Sequence, residues 1–281
     1  MSELPLDLIR QALIEDGAYR DLTTLCTVPA EAQAQAVLLA RREGVVAGLA
    51  VALATFRLLD ERVQSEARVS DGEAVIANQT LAVLSGPARA LLSAERVALN
   101  FLGHLSGIAT LTARCVRAVA GTGVRILDTR KTTPGLRALE KEAVRLGGGH
   151  NHRFGLSDGI LIKDNHIKAA GGLTAAIEAV RRQVPHLLKI EVECETLEEV
   201  RAAVRAGADA ILLDNMEVEQ LRQAVAFVRA ETPGLLLEAS GGIGPDPERL
   251  AAVAATGVDF ISLGALTHSA PNLDVALEFL T

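Results

Sequence analysis

The sequence predicts an α/β protein built on a parallel sheet or barrel, and two observations carry that expectation. Beyond residue 124 short apolar runs recur: "VRILDTRK", "GILIKDN", "LLKIEVEC", "AILLDN", "LLLEASGG" and "FISLGA", starting near 124, 159, 187, 210, 235 and 260. Most are separated by segments rich in Ala, Glu and Arg at helical periodicity, so strand and helix alternate at the spacing of a βα unit. The second observation is where the polar residues fall. Arg130-Lys131, Lys163-Asp164-Asn165, Glu193, Asp214-Asn215, Ser240-Gly241-Gly242 and Gly264 all stand at the carboxyl ends of runs. In a barrel of parallel strands that rim is where the site is built, and the loops after the last strands often hold phosphate.

A chain of 281 residues has room for one large α/β domain or for a barrel plus a smaller domain. With 49% hydrophobic and 22% charged residues a substantial core is available. Six Phe, one Tyr and no Trp make that core aliphatic and leave little with which to stack nucleobases. The net charge of −7 argues against a general polyanion-binding surface. Between Arg125 and Lys168, however, nine Lys and Arg face five acids, a local balance of +4. A basic block in an acidic chain suits an anionic small molecule better than a nucleic-acid backbone. Cys26, Cys115 and Cys194 are odd in number, far apart and form no CxxC pair, which fits thiols in a reducing compartment. The amino-terminal stretch lacks the basic region and apolar core of a signal peptide, and no window approaches 18 uninterrupted apolar residues. A cytoplasmic protein with no membrane span is expected.

Taken in order, residues 4 to 15 predict a helix with Leu4, Leu8, Ile9 and Leu13 roughly on one face. "AQAQAVLLARREGVVAGLAVA" predicts a strand, a glycine-containing turn and an alanine-rich helix, and "EARVSDGEAVIANQTLAVLSGPARA" an antiparallel hairpin. "LLSAERVALNFLGHLSGIATLTARCVRAVAGTG" is helical through most of its length, with a break expected at Ser106-Gly107. "GADAILLDN" and "GVDFISLGA" are near-copies, each placing a glycine at a helix end just before a strand. "GPDPERLAA" supplies a helix start with Asp246 as cap and Pro247 as first helical residue.

Several motifs carry chemistry, and each has a plain structural reading beside it. "LDTRKTTPG" sets Arg130 and Lys131 at a strand end; without a ligand it is a solvated loop. Arg pairs bidentately with a carboxylate, whereas Lys is a mobile point charge. In "GGGHNHRFG" the histidines 150 and 152 lack a cysteine or acid at a convincing metal-ligand spacing, so a tight turn followed by an anion clamp reads better than a metal site. Lys163 in "LIKDNH" either pairs with an acid or reaches a ligand. "IEVEC" offers Glu191 and Glu193 on one face, with Asp214 at the next strand end; such acids hold a divalent cation, accept ribose hydroxyls or balance lysines. "ASGGIG" and "SLGALTHS" have the form of backbone-amide phosphate cups. A cationic half suited to a polycarboxylate thus adjoins an acid-plus-glycine half suited to a sugar phosphate.

The segments "AERVALNFLGHLSGIAT", "ILDTRKTTPGLRALEK", "GGGHNHRFGLSDGILIKDNHI", "KIEVEC", "ILLDN", "LEASGGI" and "SLGALTHS" closely resemble the quinolinate phosphoribosyltransferase family, over essentially the whole chain. The resemblance implies an α/β fold in which an open, incomplete α/β barrel (about 109–269) follows an N-terminal α/β sandwich domain (1–108), with the tail near 270–281 packing back on the latter. It implies a homodimer, or a higher oligomer, with a shared active site. The implied reaction joins quinolinate to phosphoribosyl pyrophosphate (PRPP), giving nicotinate mononucleotide, pyrophosphate and carbon dioxide, with Mg²⁺ as cofactor. By the same resemblance Arg130, His152, Arg153 and Lys163 take the quinolinate carboxylates, and Lys131 sits at the junction with pyrophosphate. Arg96 in "SAERVALN" matches an arginine donated across the dimer interface; its plain reading is a helix-surface salt bridge with Glu95 or another acid. Glu193 and Asp214 match acids near the ribose and Mg²⁺, and Ser240, Gly241, Gly242 and Gly264 a 5′-phosphate cup. Lys131, Lys163, Glu193 and Asp214 are the expected catalytic residues.

The chain departs from the family's usual pattern at "GAYRD", which resembles a paralogous group encoded with molybdate transporters, and at Cys194 and Glu142. "IKDNHI", which those paralogues alter, is intact. Two further readings stay open: transfer to another pyridine carboxylate without loss of carbon dioxide, and a non-catalytic metabolite-binding or metal-chaperone protein.

Overall fold

A computed structural model describes residues 4–280, which divide into two compact units. The first comprises the chain to Ala113, Thr133–Gly148 and the stretch from Ala270 onward; the second comprises Arg114–Thr132 and Gly149–Ser269. The boundary read from sequence is linear at 108/109, whereas the observed units interleave, the stretch 133–148 grouping with the amino-terminal residues.

The first unit opens with α1 (Leu6–Glu15), which buries Ile9 and Leu13, and after a short turn α2 (Leu22–Thr27), whose cap Asp21 accepts the Thr24 N–H at 3.1 Å. Strand β1 (Gln33–Ala40) and the two-residue β2 (Gly44–Val45) lead into α3 (Leu49–Leu59), buried along most of its length. The expected hairpin is drawn differently. Its outer strands β3 (Gln64–Ala67) and β5 (Gln79–Pro87) do pair antiparallel, but the intervening β4 (Ala74–Val75) pairs with β2.

Helix α4 (Ala88–Ala118) runs without a break at Ser106-Gly107. The small polar residues there serve close packing instead. Ser106 Oγ accepts the Ala47 N–H at 2.9 Å and donates to its carbonyl, while Thr110 Oγ accepts the Val45 N–H at 2.9 Å. A Cβ on Gly107 would stand 2.2 Å from the Pro271 carbonyl oxygen, so glycine is required by space and the helix simply continues.

The second unit holds the parallel sheet. In chain order its elements begin with β6 (Arg125–Leu127); the chain visits the first unit as α5 (Arg137–Leu146) and returns as β7 (Ile160–Ile162). There follow α6 (Asp164–Ala170), α7 (Leu173–Gln183), β8 (Ile190–Cys194), α8 (Leu197–Arg205), β9 (Ala210–Asp214), α9 (Val218–Glu231), β10 (Leu236–Ser240), α10 (Pro247–Ala254), β11 (Phe260–Ser262) and α11 (Ala265–His268). The tail forms β12 (Val275–Leu280), which pairs antiparallel with β1 to give the first unit's sheet the order β12-β1-β5-β3.

The six parallel strands run β6-β11-β10-β9-β8-β7. Among the described residues β6 and β7 are not paired to each other, so the sheet is that of an open barrel; a parallel bridge from Leu127 to His150 extends the β6 edge. The near-copied segments have a shared structural cause. Gly207 and Gly257 take left-handed backbone after α8 and α10, and the aspartate two residues on braces the neighbouring strand. Asp209 accepts the Ile190 N–H at 2.8 Å and Asp259 the Leu237 N–H at 2.7 Å, each also paired with an arginine, Arg181 or Arg229. Asp246 caps α10 through the Arg249 N–H at 2.8 Å, with Pro247 following.

Substituting Gly107→Ala should therefore destabilise the protein by about 1–3 kcal/mol, the usual cost of overpacking, through displacement of the Pro271 backbone. A thermal melt that matches the parent's would show that this close approach is unimportant.

Candidate active site

The expected rim residues of the second unit do stand at the carboxyl ends of strands. Asp128, directly after β6, is fully buried and accepts hydrogen bonds from Asn151 Nδ2 at 2.5 Å and the His152 N–H at 2.8 Å. It fixes the turn that follows the three glycines. Within that turn His150 is exposed, and its backbone prolongs the sheet: its N–H donates to Ile126 at 2.8 Å and its carbonyl accepts from Asp128 at 3.1 Å. Arg153 NH1 donates to the Gly159 carbonyl at 2.9 Å, and Asp158 closes the loop by accepting the Phe154 and Gly155 N–H groups. Burial, and then the neighbouring positive charge of Arg130, lower the Arg153 pKa. Two guanidinium groups so placed call for an anion between them.

Lys163, at the end of β7, is ion-paired with Glu193 of β8. This is the pairing with an acid that the sequence offered as one of two alternatives for the lysine. At the end of β9 the half-buried Asp214 accepts from Asn215 Nδ2 at 2.6 Å. Asn215 itself takes a left-handed φ of 54°, which turns its side chain toward the next loop. There Gly241 and Gly242 follow Ser240 with φ of +81° and +61°. A Cβ on Gly241 would lie 2.4 Å from Asn215 Oδ1, so both conformation and space demand glycine. Gly264 has ordinary helical backbone, yet a Cβ there would stand 3.0 Å from both Lys131 Cδ and His268 Nε2. Lys131, Gly264 and His268 are therefore gathered, and Thr267 Oγ1 locks the arrangement by donating to the Lys131 carbonyl at 2.7 Å. Arg96 belongs to the first unit, exposed on α4, and among the described residues it makes no ion pair with Glu95.

His152 departs from the expected anion clamp. Its Nδ1 accepts the Arg153 N–H at 2.7 Å, and its Nε2 lies 3.0 Å from Glu191 Oε2 and 3.6 Å from Glu238 Oε2. An accepting Nδ1 carries no proton, so the ring proton sits on Nε2, between the two acids. Burial lowers the His152 pKa, but the hydrogen bond with Glu191 and the charges of Glu238 and Glu191 outweigh it, and the net direction is upward. Glu238 is 3% exposed; burial, aided by the Glu191 charge, pushes its carboxyl up to about 8.

The three groups offer donor atoms within 4.8 Å of one another, a spacing compatible with a metal ion. A ligating histidine turns an unprotonated nitrogen to the ion and donates from the other. The reverse arrangement here makes this a proton-sharing cluster. It lines a cavity of about 510 Å³ together with loop residues such as Arg153 and Asp158 and with the first residues of strands, among them Arg125, Ala210, Leu236 and Phe260. The barrel interior is thus open from the amino ends of the strands as well.

Sequence reading passed over Asp128, Glu238, Thr267 and His268. Glu238 carried the clearest signal, a lone acid inside the apolar run "LLLEASGG"; Asp128 shared that property in "RILDTRK". His268 was within a segment read only for its glycine.

Comparison with known proteins gives a consistent result. The family model for the C-terminal domain of quinolinate phosphoribosyl transferase matches residues 108–278, and that for its N-terminal domain matches 21–106. The chain is 47% identical over 271 residues to a probable nicotinate-nucleotide pyrophosphorylase [carboxylating] of Bacillus subtilis, covering 96% of this chain and 92% of the relative. It is also 47% identical over 278 residues to the nicotinate-nucleotide pyrophosphorylase [carboxylating] of Mycobacterium leprae, covering 97% and 96%. The crystal structure of nicotinate-nucleotide pyrophosphorylase from Ehrlichia chaffeensis superposes with a TM-score of 0.92 at 38% identity, covering all of both chains. Among the described residues no helix is long and apolar enough to cross a membrane.

The raised carboxyl of Glu238 makes stability fall with pH. The folded protein holds a proton there that the unfolded chain releases near 4.5, so the penalty grows from that pH and is complete above about 8. Glu238→Gln should flatten this decline, the ceiling for one group being ~1.4 kcal/mol per pH unit. Denaturant midpoints from pH 5 to 9 that run parallel for both proteins would contradict it.

Proposed function

The chain belongs to the quinolinate phosphoribosyltransferase family, and from that premise we propose that it transfers phosphoribosyl from PRPP to quinolinate with loss of carbon dioxide, forming nicotinate mononucleotide and pyrophosphate for NAD biosynthesis. The observation that carries the reading is the union, on one sheet, of the Arg130–Arg153 pair with a glycine cup beside Lys131. A dicarboxylate needs the first and a phosphorylated sugar the second.

The acceptor's ring nitrogen is the nucleophile, so the protein need supply none. Arg130, Arg153 and Lys163 take the two carboxylates, with Lys163 leaving or sharing Glu193 as the anion arrives. Ser240, Gly241, Gly242 and Gly264 cradle the 5′-phosphate through backbone N–H groups and lack of side chains. As pyrophosphate leaves, positive charge grows on the sugar; Asp214 and Glu193, at adjacent strand ends, stabilise it while Lys131 meets the leaving group. The ring made cationic by the new bond then accepts the electron pair of the breaking ring carbon–carboxylate bond as carbon dioxide leaves, and that ring carbon takes up a proton from solvent. His152, engaged by two acids, serves the acceptor by holding Arg153 in place.

Mg²⁺ fits the donor set as an ion that arrives with PRPP, since it favours one or two carboxylates plus substrate phosphates over a protein cage. Glu193 and Asp214 are the carboxylates for it, and its chemistry is to neutralise charge on the leaving pyrophosphate. The working form we infer is a cytoplasmic homodimer in which the exposed Arg96 of one protomer completes the site of its partner.

Three outcomes test this reading. Quinolinate, PRPP and Mg²⁺ should yield carbon dioxide and nicotinate mononucleotide in equal amounts, and a chelator should abolish both; product from nicotinate without carbon dioxide would reassign the acceptor. Arg130→Ala should raise KM for quinolinate about 10–100-fold, the value of one charged hydrogen-bonding pair. Mixing Arg96→Ala with Lys163→Ala subunits should restore activity through one intact shared site, and no recovery after proven exchange would place Arg96 elsewhere.

A further inference from the structure

The His152 cluster contains a carboxyl that the proposed reaction does not use. Glu238 points inward from the middle of β10, is all but fully buried, and its Oε1 accepts no hydrogen bond. A buried acid in this state is costly, and its position is informative. The groups that face it are Glu191 from β8, His152, Lys163 at the end of β7 and the Ser262 hydroxyl of β11, with Arg125 and Lys189 on the same cavity. Of these, His152 is linked onward to Arg153. Its Nε2–H is directed at Glu191 and Glu238, and its Nδ1 receives the Arg153 N–H. The peptide of Arg153 is thereby held in one orientation, and Asp128 fixes the preceding peptide through the His152 N–H.

We propose that Glu238 is a positioning residue for the acceptor: with Glu191 it holds the His152 ring in the Nε2–H form, and the ring in turn sets the backbone and guanidinium of Arg153 for a substrate carboxylate. The role assigned to Arg153 rests on the functional reading above; the brace itself rests on the distances. While Glu238 keeps its proton, one acid charge faces the ring and the neutral Nε2–H tautomer satisfies all partners. A glutamine at 238, neutral and of nearly the same shape, keeps the brace closed, whereas an alanine removes one of the two groups toward which the Nε2–H is directed.

The test is KM for quinolinate, measured apart from kcat at pH 7, in the parent, Glu238→Gln and Glu238→Ala. Glu238→Ala should raise KM about tenfold, the value of one hydrogen-bonded contact, with kcat little changed. Glu238→Gln should stay close to the parent, and that rescue would separate positioning from mere filling of space. Nitrogen-15 spectra of the histidines, with His152 assigned by its loss in His152→Gln, read the ring directly and need no turnover. They should show Nε2 protonated and Nδ1 bare at pH 7 in both the parent and Glu238→Gln. An Nδ1–H tautomer, or an unchanged KM in Glu238→Ala, would overturn the brace. Absence of quinolinate turnover in the parent would instead sink the functional reading, while the spectra still decided the ring's state.

Discussion

The buried carboxylate of Asp128 is the interaction on which the site depends. It is fully removed from water just past the last residue of β6, where an unpaired charge would be prohibitive, and it is compensated by donors from the segment it organises, Asn151 Nδ2 and the His152 N–H. Satisfying Asp128 and positioning the His152–Arg153 segment are thus the same event. A neutral, non-accepting residue at 128 would remove the shared acceptor of these two donors and with it the tie that orients the segment.

A second layer of carboxylates does comparable work at the opposite ends of the strands. Asp209 and Asp259 each accept the N–H of a neighbouring strand and hold an arginine from a preceding helix. These pairs set the register of β8 against β9 and of β10 against β11 from below. The side chains at the upper ends are thereby free to be chosen for chemistry. That division of labour between the two ends of a parallel strand is general for barrels, and in this chain it can be traced to individual hydrogen bonds.

Much of this was legible beforehand where a physical pattern was strong. Apolar runs bounded by glycine located β8, β9, β10 and β11, and Asp246-Pro247 announced α10. The rim residues were legible because polar groups cannot lie deep in an apolar run without a reason. Three things escaped for identifiable causes. Ser106-Gly107 was read as a break because local propensity does not reveal that the Pro271 backbone crosses the helix there. The stretch "EARVSDGEAVIANQTLAVLSGPARA" was read as one hairpin because local alternation cannot tell that β4 pairs with β2. The acids around His152 were invisible as a set because Glu191, Glu238 and His152 are distant in sequence and meet only when the sheet is built.

That meeting changes how "GGGHNHR" should be understood. As a string it reads as a tight turn followed by an anion clamp made of His152 and Arg153. In the folded chain its basic residues are divided: His150 continues the sheet edge, His152 is turned inward to carboxylates, and Arg153 is left to approach Arg130. The division follows from charge balance. Burial and the charge of Arg130 already lower the affinity of Arg153 for its proton, and a third cation on the same side would be held there only at further cost. Placing the histidine between Glu191 and Glu238 gives it a role that needs no substrate, and leaves the anion to the arginines. The acid cluster beneath the basic one is then a means of keeping the cationic half strong without making it unstable.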